Sequence, residues 1–146
     1  MAMTDAQLAG RIDGGGHILP IRIYYGDTDI TGFVYHANYL IYCERGRSDW
    51  LRLLDVPRLI PGETGFVVRR FVCDFLKPAL LDDLIEVHSR LVEASGARME
   101  LRQEIRRGAD TLFKGEVTVV LIDARGRPKR VPPEWLAAFS RHLETF

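Results

Sequence analysis

Leu84-Ile85-Glu86-Val87-His88-Ser89-Arg90-Leu91-Val92-Glu93, then Ala94-Ser95-Gly96-Ala97, then Arg98-Met99-Glu100-Leu101-Arg102-Gln103-Glu104-Ile105-Arg106 is the stretch that decides the fold. Its period is two. Ile85, Val87, Ser89 and Leu91 share one face of the first run, and Glu86, His88 and Arg90 share the other. In the second run Met99, Leu101, Gln103 and Ile105 oppose a face that is charged throughout: Arg98, Glu100, Arg102, Glu104 and Arg106. Alternation of this kind marks strands with one buried side. The link between them is too short for a crossover, so the strands are antiparallel neighbours. A single apolar face per strand means a sheet covered on one side only.

Working outward, Arg107-Gly108-Ala109-Asp110 is a second short turn. It leads into Leu112–Asp123, where Phe113, Gly115, Val117, Val119 and Leu121 form one face. Upstream, Phe66–Leu76 is a long β-branched and aromatic run closed by Lys77-Pro78, and Ile18–Tyr25 reads as a strand. The sheet therefore has about five strands. Between the first and second lies a helical period, Asn38 to about Leu54, in which Leu40, Cys43, Arg47, Trp50, Leu51 and Leu54 recur at steps of three and four, with Pro57 beyond its end. Gly46 in its middle costs about 1 kcal/mol relative to Ala, so the sheet backbone is expected to pack close against it. Pro61-Gly62 sits in a loop, and Pro132-Pro133-Glu134 starts a short helix over Trp135–Leu143. The order is strand, helix, four strands, short helix: an α+β fold in which one long central helix lies on a curved antiparallel sheet.

The chain has 146 residues, 47% hydrophobic and 27% charged, with 20 Lys+Arg balanced by 20 Asp+Glu. This is one domain, large enough to hold a core without disulfides or a structural metal. Zero net charge argues against a nucleic-acid partner. Cys43 and Cys73 are too few for a disulfide framework and sit in apolar surroundings, and no run approaches a membrane span. Residues 1–17, with three consecutive glycines and no apolar core, read as a flexible lead-in rather than a signal peptide, and 18–146 as the domain. The expected compartment is the cytoplasm.

The densest chemistry is Tyr25-Gly26-Asp27-Thr28-Asp29-Ile30-Thr31-Gly32-Phe33-Val34-Tyr35-His36-Ala37-Asn38-Tyr39. It brings two carboxylates, a histidine and a glycine turn to the start of the long helix. A helix N-terminus presents unpaired N–H groups and partial positive charge, which can polarise a carbonyl. A carboxylate held opposite can act as base or nucleophile. The same residues also fit an ordinary turn whose aspartates cap backbone groups.

Asp27-Thr28-Asp29-x-x-Gly32-x-Val34-Tyr35-His36-x-Asn38-Tyr39, followed by Glu44-Arg45-x-Arg47-x-x-Trp50-Leu51, resembles the 4-hydroxybenzoyl-CoA thioesterase family of the hotdog fold, and within it the Tol-Pal-associated acyl-CoA thioesterase subgroup. Phe66-Val67-Val68-Arg69-Arg70, Asp74-Phe75-Leu76-Lys77-Pro78-Ala79 and Leu81-Asp82-Asp83 carry it further, so that it spans roughly Ile21 to Val131. The resemblance implies hydrolysis of a thioester to free acid and CoA. It puts the catalytic carboxylate on Asp29, as general base or nucleophile, and the carbonyl-polarising N–H on His36. Tyr35, Gly32 and Asn38 fall at site-shaping or lining positions, as does Asp27. It implies no metal and no cofactor, CoA entering as part of the substrate, whether acyl-CoA or an acyl-carrier thioester. It also implies a homodimer, with pairing into a homotetramer, in which Asp29 and His36 of one chain face the Glu63–Arg70 region of the other. Phe66 and Val68 are the acyl-wall candidates there.

Other readings of the same residues stay open. Asp27-Thr28-Asp29-Ile30-Thr31 after a strand fits the loop of a haloacid-dehalogenase-like phosphatase with Asp27 as nucleophile, although that fold needs a parallel sheet. A non-catalytic hotdog protein binding an acyl carrier or partner protein is the other alternative. Cys43 is two helical turns from His36 and reads as core rather than as a thiol nucleophile. His88 and His142 read as surface residues, Tyr42 and Trp50 as helix packing. The charged face of Arg98–Arg106, with Lys129 and Arg130, is solvated and offers cations for CoA phosphates without singling any out.

Overall fold

The computed structural model describes residues 1–54 and 64–140. In chain order these form α1 (Asp5–Leu8), β1 (Arg11–Asp13), β2 (Gly16–Arg22), a 3-10 turn (Tyr25–Asp27), α2 (Ala37–Leu53), β3 (Gly65–Phe75), β4 (Leu84–Ser95), β5 (Arg98–Arg107), β6 (Asp110–Ile122) and α3 (Pro133–Ser140). The strands make one antiparallel sheet in the order β1-β2-β4-β5-β6-β3, with α2 on its apolar face. This is the helix-in-sheet wrap expected from the sequence.

The alternation of β4 and β5 locks their register, Val87 opposite Ile105, Ser89 opposite Gln103 and Leu91 opposite Leu101, because a one-residue slip would turn every apolar side chain to solvent. α2 buries Tyr39, Tyr42, Cys43, Gly46 and Trp50. The buried stripe is thus rotated from the one counted on Leu40, which is 37% exposed. Aromatic stacking decides the difference: Tyr39 lies parallel to Phe113 at 5.6 Å and meets Phe75 edge-on at 5.6 Å. Cys43 is fully buried, and burial pushes its thiol up to about 12, so it packs as a small hydrophobe.

Gly46 does make a close approach, but to side chains rather than to the sheet backbone. A Cβ there would stand 3.0 Å from Val87 Cγ1, 3.3 Å from Ser89 Oγ and 3.4 Å from Gln103 Nε2. Those last two belong to a buried polar network. Gln103 Nε2 donates to the Cys43 carbonyl and to Ser89 Oγ, both at 2.8 Å, and Arg47 Nη1 donates to Gln103 Oε1 at 2.8 Å.

Within the expected lead-in, α1 and β1 are regular elements. β1 is a sixth strand on the edge of β2, and β2 starts at Gly16 rather than Ile18. His17 is buried, its ring stacked near that of Trp50 and its Nε2 2.6 Å from the Ala9 carbonyl. One imidazole, pointing inward as the β2 alternation requires, ties the N-terminal segment to the back of α2. Pro57, Pro61-Gly62, Glu63 and His142 lie outside the described residues.

Candidate active site

Thr28–Val34 fold back as a small hairpin between β2 and α2. Thr28 pairs with Val34, the Asp29 N–H donates to the Phe33 carbonyl at 2.9 Å, and the Gly32 N–H donates to the Asp29 carbonyl at 3.0 Å. Gly32 closes the tip at φ +84°, a backbone conformation that strains any residue with a Cβ. The hairpin is fastened to the β3–β4 connection through Val34 N–H to the Ala79 carbonyl, 3.0 Å, and the Ala79 N–H is fixed in turn by the Tyr39 hydroxyl at 2.9 Å.

The two aspartates have separate work. Asp27 builds the frame: its carboxylate accepts the Tyr24 N–H at 2.8 Å, and its carbonyl accepts both the Tyr35 N–H and Asn38 Nδ2 at 2.9 Å. That commitment, with the antiparallel sheet, removes the phosphatase reading. Asn38 therefore shapes the helix start. Asp29 stands at the hairpin tip. One of its oxygens accepts the Thr31 N–H at 2.8 Å and the Thr31 hydroxyl; these bonds, with the nearby His36, hold its carboxyl below the usual carboxylate range.

Beyond the hairpin, α2 begins at Ala37 with no side-chain cap. Among the described residues nothing accepts the N–H of His36 or of Ala37. Two orphan donors thus open at the positive end of a 17-residue helix that follows directly on the Asp29 hairpin. The exposed rim is aromatic: the His36 ring lies 4.6 Å from Tyr35 and 6.2 Å edge-on from Phe75, which is half-exposed at the end of β3. Phe75 escaped the sequence reading because a terminal strand residue carries no signal of what faces it.

The structure brings Asp29, Gly32, Tyr35, His36 and Asn38 together. It does not bring Phe66 and Val68 to them. These two line a cavity of about 230 Å³ under the other end of α2, with Trp50, Leu51 and Phe139. His36 to Trp50 spans roughly 21 Å of helix at 1.5 Å per residue.

The sequence model of the Thioesterase superfamily matches residues 31–114. Acyl-CoA thioesterase YbgC of Haemophilus influenzae is 38% identical, the match covering 88% of this chain and 97% of that one. Acyl-CoA thioester hydrolase YbgC of Escherichia coli is 34% identical, covering 84% and 94%. A probable thioesterase from Bartonella henselae superposes with a TM-score of 0.73 at 40% identity, covering 80% of this chain and 98% of the other. The wrapped helix, the carboxylate hairpin at its open end and these relatives agree, and the chain belongs to the Thioesterase superfamily as a hotdog-fold thioester hydrolase.

Proposed function

We propose that this enzyme hydrolyses acyl-CoA thioesters, with Asp29 as general base or nucleophile and the His36 N–H polarising the thioester carbonyl. The observation that carries the reading is the hairpin that holds the Asp29 carboxylate just ahead of the free amides opening α2. The carbonyl oxygen accepts the His36 N–H, and negative charge developing on it is met by the helix end. Either Asp29 takes a proton from water as the water oxygen bonds to the carbonyl carbon, or its own oxygen forms that bond and the acyl-aspartate is then hydrolysed. In both routes the C–S bond breaks and CoA leaves as a thiolate that picks up a proton. CoA is part of the substrate, and the chemistry calls on no metal or further cofactor. The cytoplasm suits the two free cysteines.

The enzyme acts as a homodimer in this reading. β3 is an edge strand, and Val67, Val68, Val72 and Phe75 on it are each 42–50% exposed. Unpaired edges of this length are normally covered. Two β3 strands meeting antiparallel about a two-fold axis set the Phe66 end of one against the Phe75 end of the other, which joins the two halves of the site. Pairing of dimers into a tetramer is compatible with this arrangement.

A mixed dimer tests both parts. Asp29→Asn is expected to cut kcat/KM at least ~100-fold while the fold persists. Phe66→Arg is expected to lose activity by spoiling the opposing wall. Refolded together, the two inactive chains should regain about a quarter of wild-type activity, because half of the dimers carry one intact site. Near-wild-type turnover by Asp29→Asn, or an active monomer in light scattering, refutes the reading.

A further inference from the structure

The cavity under the C-terminal half of α2 has the character of a depth gauge. Its mouth is polar and accessible: Glu44 is exposed and accepts the Ser48 hydroxyl at 2.6 Å, and Val68 beside them is half-exposed. Its depth is apolar and sealed by Trp50, Met99 and Phe139, which are 2%, 1% and 5% exposed. Phe139 meets Trp50 edge-on at 5.1 Å. It comes from α3, which follows the last strand of the sheet and packs over the far end of the cavity.

We infer that the acyl chain of the substrate enters this cavity from the partner's Asp29 side and that Phe139 on α3 sets its maximum length. The inference rests on the acyl-CoA hydrolase reading and adds a substrate class to it: linear, apolar acyl groups of medium length. A dry cavity of 150 Å³ accepts a six-carbon ring, so about 230 Å³ takes a chain of on the order of eight to ten carbons. Within that length each buried methylene raises kcat/KM about fourfold, and beyond it the gain stops. Phe139 is a specificity-determining residue here; it touches the far end of the acyl chain and no reacting atom.

The experiment is kcat/KM across straight-chain acyl-CoA thioesters from two to sixteen carbons, for the wild type, Phe139→Ala and Phe139→Leu. The wild-type series should climb to about eight to ten carbons and then break. Phe139→Ala should move the break outward by about two to four carbons, less than the volume of the lost ring because the walls partly collapse. Phe139→Leu keeps an apolar contact with Trp50 and should move it by about one or two, which preserves the test if the alanine variant does not fold. Hydrolysis with the same break in all three proteins overturns the inference and leaves the hydrolase reading standing. No hydrolysis of any member by the wild type overturns both.

Discussion

Gln103→Leu puts a number on what holds α2 in place. Gln103 is fully buried, and its amide ties the helix to two strands through three hydrogen bonds of 2.8 Å. Leucine fits the space and deletes all three. The Cys43 carbonyl loses only a second donor, at about 0.5–1 kcal/mol. The Arg47 bond is charge-assisted, but Arg47 lines the open cavity and rehydrates, so about 1 kcal/mol is assigned. Ser89 is 3% exposed, and stranding its hydroxyl costs about 1–2 kcal/mol. The total is about 3 kcal/mol, or roughly 10 °C in melting temperature for a domain of this size. Urea unfolding at fixed protein concentration measures it. A companion substitution separates hydrogen bonding from mere shape. Adding Ser89→Ala to Gln103→Leu removes the stranded hydroxyl and should restore about 1 kcal/mol, a negative coupling between neighbours. Stability of Gln103→Leu within 0.5 kcal/mol of the wild type, or strictly additive losses in the pair, refutes the assignment.

Two further outcomes concern pH. Thr31→Val deletes the hydroxyl that does most to lower the Asp29 carboxyl, so the acid limb of kcat/KM should move up towards the ordinary aspartate value while the plateau persists; an unmoved limb would show that another group governs it. His17 is lowered from 6.5, chiefly by burial, so the folded state binds fewer protons than the unfolded one. Stability is therefore fully present above about pH 6.5 and falls as pH drops through that value, and His17→Phe should flatten this slope in urea titrations between pH 5 and 7, with an unchanged slope excluding His17 as its source.

The sheet was legible because β4, β5 and β6 each turn one face to water, so their pairing and hairpin order follow from alternation alone. The helix was legible in length but not in azimuth. Leu40 counted as core by hydropathy, whereas Tyr39 takes a buried position through contacts with Phe75 and Phe113, residues more than thirty positions away, and Tyr42 packs edge-on against Tyr39. The N-terminal elements were not legible because, beyond Ala9 and Ile12, what holds them is a buried histidine and backbone pairing, neither of which scores as apolar. At the site, Gly32 announced a turn, but the division of labour between Asp27 and Asp29 lies in which backbone groups each one meets. The separation of Phe66 and Val68 from Asp29 along α2 is a property of the single fold that no spacing reveals.

Trp50 has an unusual pair of neighbours: His17 from near the start of the chain and Phe139 from near its end. An N-terminal strap and a C-terminal helix thus converge on one indole in the middle of the sequence. During synthesis this corner is the last to consolidate, because its final wall is translated only after every strand of the sheet exists. The Asp29 hairpin, α2 and β2–β6 need nothing beyond residue 122 for their pairing, so a nascent chain can own the carboxylate end of the fold before it owns the cavity floor. Such long-range closure slows folding. It also makes Trp50 emission a reporter of completion, settling to its native value only when both His17 and Phe139 have docked against it.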